Sequence, residues 1–376
     1  MNAPFIFGKI AVGNNFIDRE KEIQRLKTNF YSGINTILIS PRRWGKSSLV
    51  KKAGKEVMAE NQNYKIVFID MFNIRSEGDF YKSLSEALIK AVSGKFEEIV
   101  ENSKKFFKQW LPKITFSPDN QQEISFGLDW RDVSENPDEI LNMAEAISIE
   151  KKIKIIVCID EFQNTGFFRE PLAFLKKLRS HWQNHKKTTY CLFGSKRLML
   201  MEFFTSPSMP FYKFGDLMFL DKIETKNWEK FIVETFAATG KKISKKLAVK
   251  IALLVENHPY YVQQLAQLTW LRTGKRATEK VITDAIESLV LQLSMLFQSI
   301  TESLSTTQIN FLNAVINNVK QFSSQETIEK FRLGTSANVI KIKRVLISKE
   351  IIDERNGKIE ILDPVYAKWL KDYYFR

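Results

Sequence analysis

Ile37-Leu38-Ile39-Ser40-Pro41-Arg42-Arg43-Trp44-Gly45-Lys46-Ser47-Ser48-Leu49 decides the fold. A short apolar run reads as a strand, Ser40 to Trp44 as a turn, and Gly-Lys-Ser as the opening of a helix. That layout suits the outer phosphates of a nucleotide. Gly45 lets the backbone pass close to phosphate, Lys46 supplies an ammonium, and Ser47 supplies a hydroxyl for magnesium. The helix N-terminus adds partial positive charge. The usual phosphate-loop pattern has Gly where Ser40 stands, so the loop has to be read with the rest of the chain.

Ile155-Ile156-Val157-Cys158-Ile159-Asp160-Glu161 is the second informative stretch. An apolar strand that ends in two adjacent carboxylates places charge where it is costly unless something pairs with it. Magnesium resolves that cost: Asp160 would hold the ion through water, and Glu161 would polarise the attacking water. Taken alone, the pair also reads as a strand exit with solvated acids. Behind a phosphate loop at this distance, the metal-and-water reading prevails.

Other strands are expected at Thr36–Ile39, Lys65–Asp70, Ile153–Ile159, Tyr190–Phe193 and Leu217–Leu220. Nearly continuous apolar strands alternating with helices predict an α/β fold with a parallel sheet covered on both faces. Asp18 is the expected N-cap of a helix carrying Ile23, Leu26 and Phe30 on one face. Helices are expected from Lys46 to about Glu60 and from Asp79 to about Val100. An irregular insert follows, about residues 110–135, with a hairpin around Pro118-Asp119-Asn120. From Glu224 the pattern becomes helical, with Trp228–Thr239, Lys245–Glu256, Tyr260–Thr273 and Thr278–Thr301 forming a helical lid. Thr306–Val319, Ser324–Phe331, Ser336–Ser348 and a hairpin around Asn356-Gly357 then make a winged helix. The expected divisions are 1–222, 223–303 and 304–376.

The formal charge of +14 suits phosphate partners, nucleic acid or nucleotide, and equally a Lys-rich solubilising surface. No apolar run approaches the roughly 20 residues of a membrane span, and the N-terminus lacks a signal pattern, so a cytoplasmic protein is expected. Cys158 and Cys191 read as reduced core residues. His181 and His185, four apart on an expected helix, have no third ligand at metal spacing. Lys241-Lys242-Ile243-Ser244-Lys245-Lys246 reads as a solvated helix entry or a nucleic-acid contact. On the third helix of the winged domain, Asn338, Lys341, Lys343 and Arg344 suit duplex DNA, while a protein partner or an intramolecular lid role fits the same helix.

Together these segments resemble the archaeal/bacterial ATPase family of the STAND branch of AAA+-related P-loop ATPases. Phe16-Ile17-Asp18-Arg19-Glu20-Lys21-Glu22 is similar to the family's N-terminal box, which places Asp18 and Arg19 near adenine. Pro41 to Leu49 matches its Arg-Arg phosphate loop, so the resemblance adds Ser40, Pro41, Arg42, Arg43, Trp44 and Ser48 to the nucleotide contacts. Leu192-Phe193-Gly194-Ser195 resembles the strand end where Ser195 would sense phosphate. Asn257-His258-Pro259-Tyr260-Tyr261 resembles the Gly-His-Pro-Tyr lid motif, which brings His258 and Pro259 to the nucleotide. Leu362 to Leu370 matches the closing helix. The resemblance implies an ATPase in which ATP and magnesium bridge the α/β domain and the lid. Hydrolysis would then reposition the winged helix, with oligomerisation following nucleotide state. A DNA-binding regulator or scaffold with negligible turnover is the alternative. Ser40 and Asn257 depart from the family's glycines. Where an arginine often follows the sensor, the chain has Tyr212-Lys213-Phe214-Gly215. Arg169, Arg179 and Arg197 are finger candidates by position and also read as ordinary surface arginines.

Overall fold

A computed structural model describes residues 4–9, 16–93, 115–116, 126–127, 137–355 and 357–376. The chain forms two compact units. The sheet unit is Arg19–Arg42 with Lys46–Leu220; the helical unit is Met1–Asp18, Arg43–Gly45 and Asp221–Arg376.

The sheet unit is built on five parallel strands, β1 (Thr36–Ile39), β2 (Tyr64–Asp70), β5 (Lys154–Asp160), β6 (Thr188–Gly194) and β7 (Asp216–Phe219), in the order β2-β5-β6-β1-β7. Every residue of β1 and of β6 is buried, as apolar runs covered by helices on both faces require. In this order β6 lies between β1 and β5. The segments leaving β1, β5 and β6 therefore emerge side by side at the carboxyl ends, where open α/β sheets bind ligands. Helices Glu20–Ser32, Lys46–Glu60, Glu77–Val92, Pro137–Glu150, Pro171–Trp182 and Arg197–Thr205 cover the sheet. Phe80, Phe174, Trp182, Tyr190 and Phe211 fill one core, with Trp182 stacked on Tyr190 at 4.1 Å. Each such ring contributes about 1.5–3 kcal/mol by leaving water. Cys158 and Cys191 are free, buried and in register on β5 and β6.

Several expectations are corrected here. Asp18 does not cap the first helix: Asp18 and Arg19 are left-handed (φ 59° and 81°), and Arg19 stands at the cap position without a side-chain cap. The helix expected from Asp79 begins at Glu77, because the Ser76 hydroxyl accepts from Asp79 N–H. Helix Pro137–Glu150 follows directly on the expected insert. Of the insert itself, β3 (Thr115–Phe116) and β4 (Phe126–Gly127) pair antiparallel; the turn at Pro118-Asp119-Asn120 lies outside the described residues. His181 belongs to helix Pro171–Trp182 but His185 lies beyond it. Both rings meet Asn142 Oδ1 at 3.1 Å, and His181 also reaches Asp138.

The helical unit holds helices Thr225–Ala238, Lys245–Leu254, Pro259–Arg272 and Glu279–Glu302. A winged-helix arrangement follows: helices Thr306–Ile316, Gln325–Lys330 and Ser336–Ser348, then β8 (Ile352–Arg355) and β9 (Lys358–Ile361), and a closing helix Pro364–Trp369. Asn356, the expected turn residue, lies outside the described residues. Ser305 and Gln308 form a capping box, and Thr335 caps Ser336–Ser348. One apolar core runs from Trp228 and Ile232 through Phe297 to Leu346 and Leu370. Phe5 joins it, held by Gln267 Oε1 accepting from its N–H at 3.3 Å, while Gln263 Oε1 accepts from Ile6 N–H at 3.0 Å. Lys241 is not a solvated helix entry: its ammonium donates to the carbonyls of Trp270 and Thr273, both at 2.6 Å, and sits over the Trp270 ring. A cation there suits the carbonyl end of helix Pro259–Arg272. Helix Glu279–Glu302 is long and apolar enough by length and composition to cross a membrane, with a mean hydropathy of 1.3 over 18 residues, which corrects the expectation that no run approaches that length. One of its faces, including Ile282, Leu289 and Phe297, is in the core.

Candidate active site

The loop after β1 does not need glycine at its first position. Its left-handed residues are Arg43 (φ 63°) and Gly45 (φ 89°), not Ser40. Ser40 is buried, its N–H donates to Gly194 O at 3.4 Å, and its hydroxyl donates to Pro41 O at 3.2 Å. Gly45 meets the conformational demand of the turn, and a side chain there would be strained by φ rather than by crowding. The Ser40 departure is therefore compatible with the loop's shape.

Within the sheet unit, Lys46, Ser47, Asp160, Glu161 and Ser195 come together as the sequence predicts. Lys46 and Ser47 open helix Lys46–Glu60, and Ser48, the next residue, is buried. Ser47 Oγ donates to Asp160 Oδ2 at 2.5 Å. Lys46 Nζ lies 3.3 Å from Glu161 Oε1, with only 7% of the lysine side chain exposed. Ser195 Oγ donates to Glu161 Oε2 at 3.0 Å, and Arg42 Nε donates to Ser195 Oγ at 3.4 Å. A residue that the sequence did not single out completes the group: Gln163 Nε2 also donates to Glu161 Oε2.

The two carboxylates are pushed in opposite directions. Burial raises the Asp160 pKa above the usual carboxylate range, against the lowering effects of the Ser47 hydroxyl and Lys46. Burial also pushes Glu161 upward, but Lys46, Gln163 and Ser195 outweigh it and hold this carboxyl below its ordinary value. Glu161 is therefore an anion at neutral pH. Its backbone is left-handed (φ 53°), an uncommon conformation for a residue with a side chain.

Of the other predicted residues, Arg43, Trp44, His258 and Pro259 lie in the helical unit. The Arg43 guanidinium sits 4.6 Å from the Tyr260 ring centre, and the buried Trp44 ring meets His258 edge-on at 6.3 Å. His258 stands at the cap of helix Pro259–Arg272, with Pro259 as the first residue. Burial, then the Arg43 charge, pushes the His258 pKa down to about 3, so the ring is neutral. Its Nδ1 is buried and has no hydrogen-bond partner among the described residues. Asn257 is left-handed (φ 57°), the conformation that glycine or asparagine tolerates best. Arg19 bonds Glu22 at 2.8 Å, and Asp18 contributes its left-handed backbone to the same turn. Of the finger candidates, Arg179 lies over Phe214 and Arg197 over Phe219, while Arg42 reaches the Glu161 network through Ser195.

On the winged helix, two of the four candidate DNA contacts are tied within the fold. Asn338 Nδ2 donates to Leu333 O at 2.7 Å, and Lys343 pairs with Glu354 at 3.0 Å. Lys341 and Arg344 are exposed on one helix face.

The family described as "ATPase domain predominantly from Archaea" matches residues 16–265, and one described as "Probable winged helix domain" matches residues 295–372. No curated protein matches the chain. Among solved structures, the Walker-type ATPase PABY2304 of Pyrococcus abyssi is 18% identical, covering 98% of this chain and 99% of its own, with a TM-score of 0.70. The Aeropyrum pernix ORC2 protein, seen as ADPNP–ADP complexes, is 14% identical over 97% of this chain and 96% of its own, with a TM-score of 0.57. Both likenesses are of fold. With two thirds of its length matched, its phosphate loop formed and its acid pair in place, the chain belongs to the P-loop ATPase domain family found predominantly in Archaea.

Proposed function

We propose that this ATPase is a nucleotide-driven switch, in which ATP bound at the phosphate loop sets the state of the winged-helix region. The observation that carries this reading is that Trp44 of the phosphate loop begins a run of contacts, all inside the helical unit, that ends at the closing helix. A ligand that orders this loop therefore acts on the first member of that run.

Lys46 would leave Glu161 for the outer phosphates. Ser47 and Asp160 offer a hydroxyl and a carboxylate, hard oxygen donors already in contact, and the raised Asp160 pKa marks a buried charge that a divalent cation would stabilise. Magnesium bound there supplies charge neutralisation of the phosphates. Glu161 would accept the proton of a water whose oxygen bonds to the γ-phosphorus as the bond to the β–γ bridging oxygen breaks. Ser195 would exchange its bond to Glu161 for one to phosphate. The ORC2 neighbour's ADPNP–ADP complexes support an adenine nucleotide as ligand. The lid-type motif at Asn257–Tyr261 and the closing helix favour placement in the STAND branch.

From Trp44 a chain of contacts continues inside the helical unit. His258 meets the Tyr261 ring at 5.1 Å, and Tyr261 OH donates to Asp363 Oδ2 at 2.5 Å. Asp363 Oδ1 in turn accepts from the N–H groups of Val365 and Tyr366 and so caps the closing helix. Hydrogen exchange tests the switch. Protection of residues 364–370 should differ between ADP and a non-hydrolysable ATP analogue, and Tyr261→Phe should erase the difference while leaving turnover intact. Identical protection in both nucleotide states of the unsubstituted protein would refute the reading.

The exposed Lys341 and Arg344 favour a second reading, a nucleotide-bound regulator of duplex DNA with negligible turnover. Removing both by Lys341→Ala and Arg344→Ala should then lower duplex affinity and reduce the salt slope by about two, one per phosphate contact. Absence of duplex binding by the unsubstituted protein at low salt would point to a protein partner instead.

A further inference from the structure

We infer that Gln163 is the positioning residue of the hydrolytic site, holding Oε2 of Glu161 so that Oε1 faces the attacking water. This rests on Glu161 being the proton acceptor. Gln163 is 1% exposed, two residues beyond Glu161 in the turn that follows β5. Its Nε2 and the Ser195 hydroxyl both donate to Glu161 Oε2, whereas Oε1 has Lys46. Once Lys46 moves to phosphate, Oε2 keeps two neutral donors and Oε1 is released.

Two further observations separate this role from packing. Gln163 Oε1 is buried and accepts no hydrogen bond among the described residues, a cost that an apolar side chain of the same shape would avoid. The amide is therefore retained for its donor. The space it occupies is opened by Gly194 at the end of β6: a Cβ there would collide with Gln163 Oε1. Gly194 does not have positive φ, so the requirement for glycine is the approach of Gln163 and not the backbone. Glycine before Ser195 and glutamine after Glu161 thus form one device, set on the left-handed turn at Glu161.

The test is the split between kcat and KM in the full chain. Gln163→Met keeps length and volume and removes the donor. kcat at saturating ATP should fall about tenfold, with KM and the affinity for an ATP analogue unchanged. Gly194→Ala, which expels the amide without touching Glu161, should reproduce the fall in kcat. A kcat for both variants equal to that of the unsubstituted protein would overturn the assignment. The underlying reading fails separately: full turnover by Glu161→Gln would remove Glu161 as the proton acceptor, whatever Gln163 does.

Discussion

Glu161→Gln is expected to reduce ATP turnover by on the order of 10²- to 10⁴-fold at saturating ATP, with nucleotide affinity retained. The substitution preserves shape and removes only the ability to take a proton. Ser195 and Gln163 both donate to Oε2, which a glutamine carbonyl oxygen can replace. Its amide nitrogen would then face Lys46, an unfavourable contact only until the ammonium moves to phosphate. Affinity should therefore hold or improve, because nucleotide binding relieves that contact. Phosphate release and equilibrium binding of ATP, measured on the same preparation, check the two halves. Loss of binding together with turnover would mean that Glu161 acts on the shape of the loop rather than on the water.

That prediction was readable from the sequence in outline because its residues lie at strand ends. An apolar run broken by a polar residue fixes both the end of a buried strand and the place where the polar group emerges, and Asp160-Glu161 and Ser40 are such breaks. Helices starting at serine or threonine were equally legible: Ser305 and Thr335 cap helices that begin at Thr306 and Ser336, as expected. Starts without a side-chain cap were not. Asp18 has the chemistry of a cap, yet the chain turns left-handed through Asp18 and Arg19, and no local pattern announces that. Helix Arg197–Thr205 begins after Lys196, which makes no cap bond, and went unnamed. Gln163 escaped for a different reason. Its function is a contact with Glu161 inside a short turn and a vacancy at Gly194, 31 positions away on a neighbouring strand. Only the register of the sheet brings these together. The Phe5–Ile6 tether to Gln267 and Gln263 is likewise a long-range pairing, with more than 250 residues between partners. Asn257 shows the converse, a departure in sequence that the fold explains, since its φ of 57° is the conformation for which glycine is the usual choice.

Lys46→Ala should lower ATP affinity by on the order of 100-fold, because one or more charge-assisted bonds to phosphate are lost. It should also destabilise the free protein, and a second substitution reveals why. Lys46 and Glu161 form a largely buried pair, and removing one member of such a pair costs about 3–5 kcal/mol because the other charge is left behind. Glu161 now has its pKa held below the ordinary value, so its contribution to stability is present above the unfolded-state value and is lost as pH falls through the folded one. Without Lys46, burial dominates and the Glu161 pKa rises, so the sign reverses. The melting temperature of Lys46→Ala should lie well below that of the unsubstituted protein at pH 7.5, and the gap should narrow as pH falls toward 5. Lys46→Ala combined with Glu161→Gln should recover most of the lost stability at pH 7.5, yet recover no ATP affinity. A double variant as unstable as Lys46→Ala would show that the lysine stabilises the loop through its aliphatic stem rather than through Glu161. Recovery of stability without recovery of binding would instead assign Lys46 two separable duties: counter-charge to Glu161 in the free protein, and anchor for phosphate once ATP arrives.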